Sequence, residues 1–493
     1  RSSSSHVGPR FLRKECTAKM SFNSEALTRV IKKDKFEIDD RQPLTGRSRS
    51  RSAGSLGFDL ASCRNMTLVV VLLAVICAVF LRPWHDPKAF NLLNDPAKLI
   101  AKADSTALET SQVAVHVNDF GLSLLSAVYS GTGGNNVFIS PISIVSALGM
   151  VLLGATPDGK AEQELLDTFG LNNNSAPSFL SGLRKIATDL MTLENGVQFL
   201  NANSVWCQSS IKKAYVRAVG DMFNAEAKLL PDTPDPINLW CSKATKGMIP
   251  TILDQLDPLT VAVLVNAVYF KGTWKIQFDA KTSMRGTFGS GSGGDVPCAM
   301  MTRTDKRMLY TEDSGMQIVE LPYGADAKLA ATVLLPPRGE DALGKLLTDL
   351  TAEGGSVKLA RYLSNLKGTN VKLLLPRFKL EFGVHDLKSE LVSAFGIKEA
   401  FEGKRGFQAM SDDPDVRLSK VMHKAIVEVN EEGTKAAAVT AGVMMTRSMP
   451  MMQDPPISVK VDRPFIFLIR DPITGVLLFA GIVKDPELDT TGV

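Results

Sequence analysis

Three observations predict an α+β fold with helices concentrated early in the chain and strands late. Apolar residues at Val113, Val117, Phe120, Leu124 and Val128 recur at helical spacing. Short apolar runs of strand length, Val261–Val265 and Val333–Leu335, lie further along. No repeat and no second domain breaks the stretch from residue 111 to 486, so one globular domain with mainly antiparallel sheets is expected there.

Residues 1–65 are rich in Ser and Arg with little periodicity, and read as a disordered basic tail. The three Arg-Ser dipeptides of Arg47–Ser52 are too few to define an RNA-binding segment. The tail holds 14 Lys and Arg against 7 Asp and Glu, so the other residues carry −3 of the total +4. A basic nucleic-acid-binding body is thereby excluded. The chain begins at Arg1 rather than Met, and Met20 is a candidate start.

Met66–Leu81 is uncharged for 16 residues, with Arg64 before it and Arg82 after it. As a helix it would be about 24 Å long, slightly short for a hydrocarbon core of about 30 Å. Two readings of residues 66–82 stand side by side: a signal anchor, and a cleaved signal peptide ending near Val75-x-Cys77. Either delivers the downstream residues to the secretory side, as an extracellular protein or a type II membrane protein with a lumenal body. Residues 83–110 read as a linker, and 487–493 as a C-terminal tail. Within the body a second helix is expected from Thr156 to Leu171 and another between Ile237 and Leu256.

Features that suggest chemistry have plainer readings. Six cysteines show no metal spacing, and isolated buried thiols are expected for those in the body. Gly289–Gly294 formally matches GxGxxG, but Asp295-Val-Pro297 follows in place of a helix, which favours a hairpin loop. His423 lacks a hydrolase signature around it and reads as a hydrogen-bonded core histidine. Asn173-Asn-Ser175 is the one glycosylation sequon in the body, with meaning only in a secretory compartment.

The most informative stretch runs from Glu431 to Ser448. It comes after a strand pattern in which Ala425, Val427 and Val429 share one face. After Gly433 almost every residue to Gly442 is small. Alanine favours helix, yet about ten residues without a broad apolar stripe make a marginal helix in water. As a strand, Thr434, Ala436, Ala438 and Thr440 would form one small uncharged face, and Lys435 would fall on the other. Such a face can enter a sheet with little desolvation cost.

Those residues resemble the hinge of the serpins, Glu-x-Gly-Thr and then a run of small residues. The resemblance extends in order through Asn136-Val-Phe-Ile-Ser-Pro-Ile-Ser143, Ala147-Leu-Gly-Met150, Ile237-Asn-Leu-Trp240 and Asn266-Ala-Val-Tyr-Phe-Lys-Gly-Thr-Trp274. It continues through Leu321-Pro-Tyr323, Leu375-Pro-Arg-Phe378, Asp462-Arg-Pro-Phe465 and Leu478-Phe-Ala-Gly481. Departures are small: Arg463 replaces the usual His, and Cys241 an aliphatic or small residue.

The resemblance implies a serpin fold with mainly antiparallel sheets, about nine helices and an exposed reactive-centre loop. It implies a consumed inhibitor of serine proteases, not an enzyme, with a non-inhibitory chaperone or binding protein as the alternative. The uncharged inner face of the hinge favours inhibition. Glu431, Gly433, Thr434, Ala436, Ala437 and Ala438 would form the hinge. Ser140, Ser143, Asn266 and His423 would form the shutter, where central strands part, and Trp274 would mark the breach, where insertion starts. The cleaved bond commonly lies just after the residue sixteen beyond the hinge glutamate, which gives Arg447–Ser448 and a trypsin-like target. Met444, Met445 and Met449 are competitors for a protease with an apolar pocket. No cofactor and no polyanion activator are implied, and a monomer is expected.

Overall fold

The computed structural model describes residues 108–290, 293–434 and 454–486, all within one compact unit, His85–Val493. The tail, the hydrophobic segment, most of the linker and residues 487–493 lie outside the described residues. Among the described residues, ten α-helices stand against the nine or so expected.

Helix α1 (Thr110–Gly131) buries Val113, Val117, Phe120, Leu124 and Val128, the stripe read from the sequence. Helix α2 (Pro141–Gly154) starts with proline at its first turn, where no N–H bond is forfeited, and is buried on every side. Its sequence has no polar face, as a central helix requires. Helices α3 (Lys160–Thr168), α4 (Ala176–Met191) and α5 (Lys213–Phe223) come next, then α6 (Asp235–Ala244). The helix expected up to Leu256 therefore stops at Ala244. Lys246 and Gly247 both take positive φ there, and Pro250 cannot continue the ladder. Later come α7 (Ala342–Thr351), α8 (Gly355–Ser364), α9 (Lys388–Ser393) and α10 (Glu399–Glu402).

Fifteen strands among the described residues form two sheets. The larger contains β1 (Val137–Ile139), β15 (Leu477–Val483), β14 (Phe465–Arg470), β8 (Leu329–Leu335), β7 (Met316–Tyr323), β6 (Asp295–Asp313), β9 (Lys367–Pro376) and β13 (Ile457–Lys460), in that order. Strand β5 (Met284–Gly289) pairs with β6. Gly289 faces Asp295 in that pairing, so the GxGxxG match bridges a hairpin rather than opening a helix.

The six-stranded sheet runs β10 (Phe378–Asp386), β11 (Lys420–Val429), β12 (Gly433–Thr434), β4 (Ala262–Thr273), β2 (Val197–Cys207) and β3 (Glu226–Leu229). Among the described residues, β11–β4, β2–β3 and β13–β9 pair in parallel and the other pairs are antiparallel. The sheet is covered on both faces. On one, Phe199 and Phe270 meet Phe479 of the larger sheet at 5.9 and 5.8 Å between ring centroids. On the other, Ile237 and Cys241 of α6 pack over Trp206, Val263 and Val265. Burial on both sides explains why β4 reads as an unbroken apolar run. Cys207, Cys241 and Cys298 are buried free thiols.

Candidate functional site

The site lies along the line between β11 and β4. Their parallel pairing runs from Lys420↔Val263 to Ile426↔Tyr269 and includes His423↔Asn266. Beyond it the two strands are separated by β12, whose Thr434 pairs with Val429 on one side and Gly272 on the other. Gly433 and Thr434, read from the sequence as the start of the hinge, thus sit between the two strands at the mouth of the sheet.

A tight turn places it there. The side-chain oxygen of Asn430 accepts the N–H groups of Glu432 and Gly433 at 3.1 and 3.2 Å. The Asn430 N–H donates to the carbonyl of Gly433 at 2.9 Å. A Cβ on Gly433 would stand 2.1 Å from the Gly272 carbonyl oxygen, so this approach of two backbones requires glycine. Trp274 is buried and donates from its indole to the Asn430 carbonyl at 2.8 Å. Its ring stacks on Tyr323 at 4.5 Å. The Tyr323 hydroxyl lies 2.6 Å from that of Thr434, which is wholly buried.

Glu431 anchors the same turn. Its carboxylate accepts Arg377 Nε at 2.8 Å on both oxygens, the terminal guanidinium nitrogen at 2.7 Å and Ser283 Oγ at 2.5 Å. Burial alone would raise its pKa, but the bonds from Arg377 and Ser283 outweigh it and hold the group below the usual carboxylate value.

About 20 Å down the same line, six residues at 3.3 Å each, lies a second polar cluster. His423 is wholly buried. Its Nε2 accepts the Ser140 N–H at 3.3 Å, so Nδ1 carries the proton and donates to Asn266 Oδ1 at 2.6 Å. Burial, reinforced by nearby His385, holds its pKa down to about 3, and the ring is neutral. Asn266 Nδ2 donates to Ser143 Oγ at 2.5 Å and to Asn203 Oδ1 at 2.6 Å. Ser143 Oγ in turn donates to Asn201 at 2.5 Å, and Ser140 Oγ to the Leu478 carbonyl at 2.6 Å.

Ser140, Ser143, Asn266 and His423 are therefore brought together, as are Glu431, Gly433, Thr434 and Trp274. Ala436, Ala437, Ala438, Arg447 and Ser448 lie outside the described residues. Sequence reasoning missed Asn201, Asn203 and Ser283, and gave Arg377 and Tyr323, both within matching blocks, no role. The signal for the first two was present: polar residues two apart on a strand face otherwise made of Val197, Phe199, Val205 and Cys207.

An α+β fold whose six-stranded sheet takes Gly433–Thr434, just after β11 in sequence, as a short strand between β11 and β4 defines the class of protein. The serpin (serine protease inhibitor) family model matches residues 115–486. Serpin-ZXA of Oryza sativa subsp. japonica is 32% identical over 400 residues, 76% of this chain and 97% of that protein. The leukocyte elastase inhibitor of Xenopus laevis is 34% identical over 383 residues, 74% and 97% of the two chains. Among solved structures, native protease nexin-1 with heparin superposes with TM-score 0.67 at 26% identity, covering 77% of this chain and 100% of that one. The chain belongs to the serpin family.

Proposed function

We propose that this serpin is a suicide inhibitor of a trypsin-like serine protease, cut between Arg447 and Ser448. The observation that carries the reading is the seated pair Gly433–Thr434, which fixes a register for the residues after it. Continued inward, residue 434 + n would face 429 − n on β11 and 272 − n on β4. Ala436, Ala438 and Thr440 would then share the buried face of Thr434. Thr440 would arrive between His423 and Asn266, where its hydroxyl can both donate and accept in place of the bond it interrupts.

In the proposed reaction the protease serine attacks the Arg447 carbonyl, the bond to Ser448 breaks, and the new amine takes the proton. Arg447 suits a pocket with a buried carboxylate through a bidentate pair. The freed segment Lys435–Thr446 would then join Gly433–Thr434 in the sheet, completing a strand from Gly433 to Thr446. Fourteen residues span roughly 46 Å as a strand, enough to drag the acylated enzyme across the body and distort its active site.

The test is to incubate the purified chain with trypsin and with chymotrypsin and resolve the products in SDS. A stable complex with trypsin, releasing a C-terminal peptide that begins at Ser448, is expected. Cleavage without a complex would favour a non-inhibitory serpin. A peptide beginning at Met445 or Thr446 would overturn the assignment of the bond. Met66–Leu81 supports placing the body on the lumenal or extracellular side, and protection of the body from added protease in sealed microsomes is the check.

A further inference from the structure

The hydroxyls of Tyr323 and Thr434 lie 2.6 Å apart, and neither has another hydrogen-bond partner among the described residues. Both residues are 0% exposed. The tyrosine comes from the end of β7 in one sheet, while the threonine is the last described residue of the hinge, wedged into the other. Tyr323 is held by an edge contact with Phe270 of β4 at 5.0 Å, outside the hinge, and by its stack on Trp274, which itself bonds the hinge turn. Its hydroxyl therefore waits at a set place, and Thr434 reaches it only when seated between Val429 and Gly272. Withdrawal of the hinge would take from the phenol the partner it has here.

We propose that this hydroxyl pair is a latch, and that Tyr323 is a positioning residue which sets how much of the loop stands outside the sheet before any protease arrives. The latch regulates the loop whose insertion is proposed above, and it rests on that reading for its purpose. An isolated buried hydroxyl is destabilising, whereas removing both members of a pair together is nearly neutral. Loss of either hydroxyl alone thus favours withdrawal of the hinge, and loss of both restores the balance.

Hydrogen–deuterium exchange of the uncleaved full chain reads this without a protease. In Tyr323→Phe and in Thr434→Val, the amides of residues 432–434 should exchange about tenfold faster than in the parent, the equivalent of one buried hydrogen bond. The double variant should return close to the parent rate, a coupling that loss of packing alone would not give. Tyr215→Phe, which removes a buried hydroxyl bonded to the Met150 carbonyl far from the hinge, serves as the control and should leave these amides unchanged. Unchanged exchange in Tyr323→Phe, exchange raised throughout the sheet, or a double variant as fast as the faster single would overturn the latch. A second readout is association with trypsin, which should be severalfold faster in each single variant and return in the double. Absence of any trypsin complex in the parent would end the inhibitory reading but leave the exchange result standing.

Discussion

The two polar clusters on the line between β11 and β4 solve opposite problems. At the mouth, Glu431 is held by a guanidinium, and the pair lies near the edge of the sheet with side chains 8% and 14% exposed. In the middle, every partner is neutral: an imidazole without its charge, amides and hydroxyls. An ion pair resists separation, because parting it strands a charge in a poorly solvated place. Neutral hydrogen bonds part at about 1 kcal/mol each and can be remade by an incoming hydroxyl. The mouth is thus costly to part, and the middle would part more cheaply if the proposed insertion takes place.

The most severe break of this contrast is Thr434→Arg. An unpaired guanidinium would have to enter a fully buried site, at a cost of several kcal/mol. The protein should be cleaved as a substrate, with almost no SDS-stable complex; a yield equal to the parent's would refute the placement. Next is Glu431→Gln, which removes the buried charge that the Arg377 guanidinium pairs with at 2.7 Å. About 3 kcal/mol of stability should be lost, visible as a lower urea midpoint.

The two clusters should also separate by pH. The folded pKa of His423 lies near 3, below its ordinary 6.5, so between those values the unfolded chain binds the extra proton. Stability is therefore full above pH 6.5 and falls as pH drops through the window, by at most about 1.4 kcal/mol per unit from this group. Glu431 is also depressed, and its contribution is present above 4.5 and is lost only below it. Urea midpoints between pH 6.5 and 4.5 should fall less steeply in His423→Gln than in the parent, whereas Glu431→Gln should leave that slope unchanged. The smallest effect is expected from Ser143→Ala, which removes neutral bonds to Asn201 and Asn266, at about 1 kcal/mol in thermal unfolding.

The sequence made some of this legible and hid the rest for identifiable reasons. The stripe of α1 and the small face of the hinge are periodic, and periodicity survives without coordinates. Asn201 and Asn203 repeat at the strand period, but their polarity is informative only once the face they share is known to be buried. Arg377 and Tyr323 carry no such mark. Their partners lie 54 and 111 residues away, at Glu431 and Thr434, and strand register alone joins them. Helix α6 ends before its apolar pattern does, because apolar residues continue past Ala244. Ile249, Ile252 and Leu253 bury themselves under it without remaining helical.

The seating of Gly433–Thr434 gives the loop a reading frame. Because strand faces alternate, the sheet would read the incoming segment two residues at a time, and the first word is already in place. Deleting one residue just after Thr434 would bring Ala437, Val439 and Ala441 onto the inner face. None is charged or large, so such a frameshifted loop could still be swallowed. What it would lose is the hydroxyl due opposite His423 and Asn266, leaving that pair divided with nothing to bridge it. Bulk would pass the frame shift, while the single polar letter at Thr440 would not.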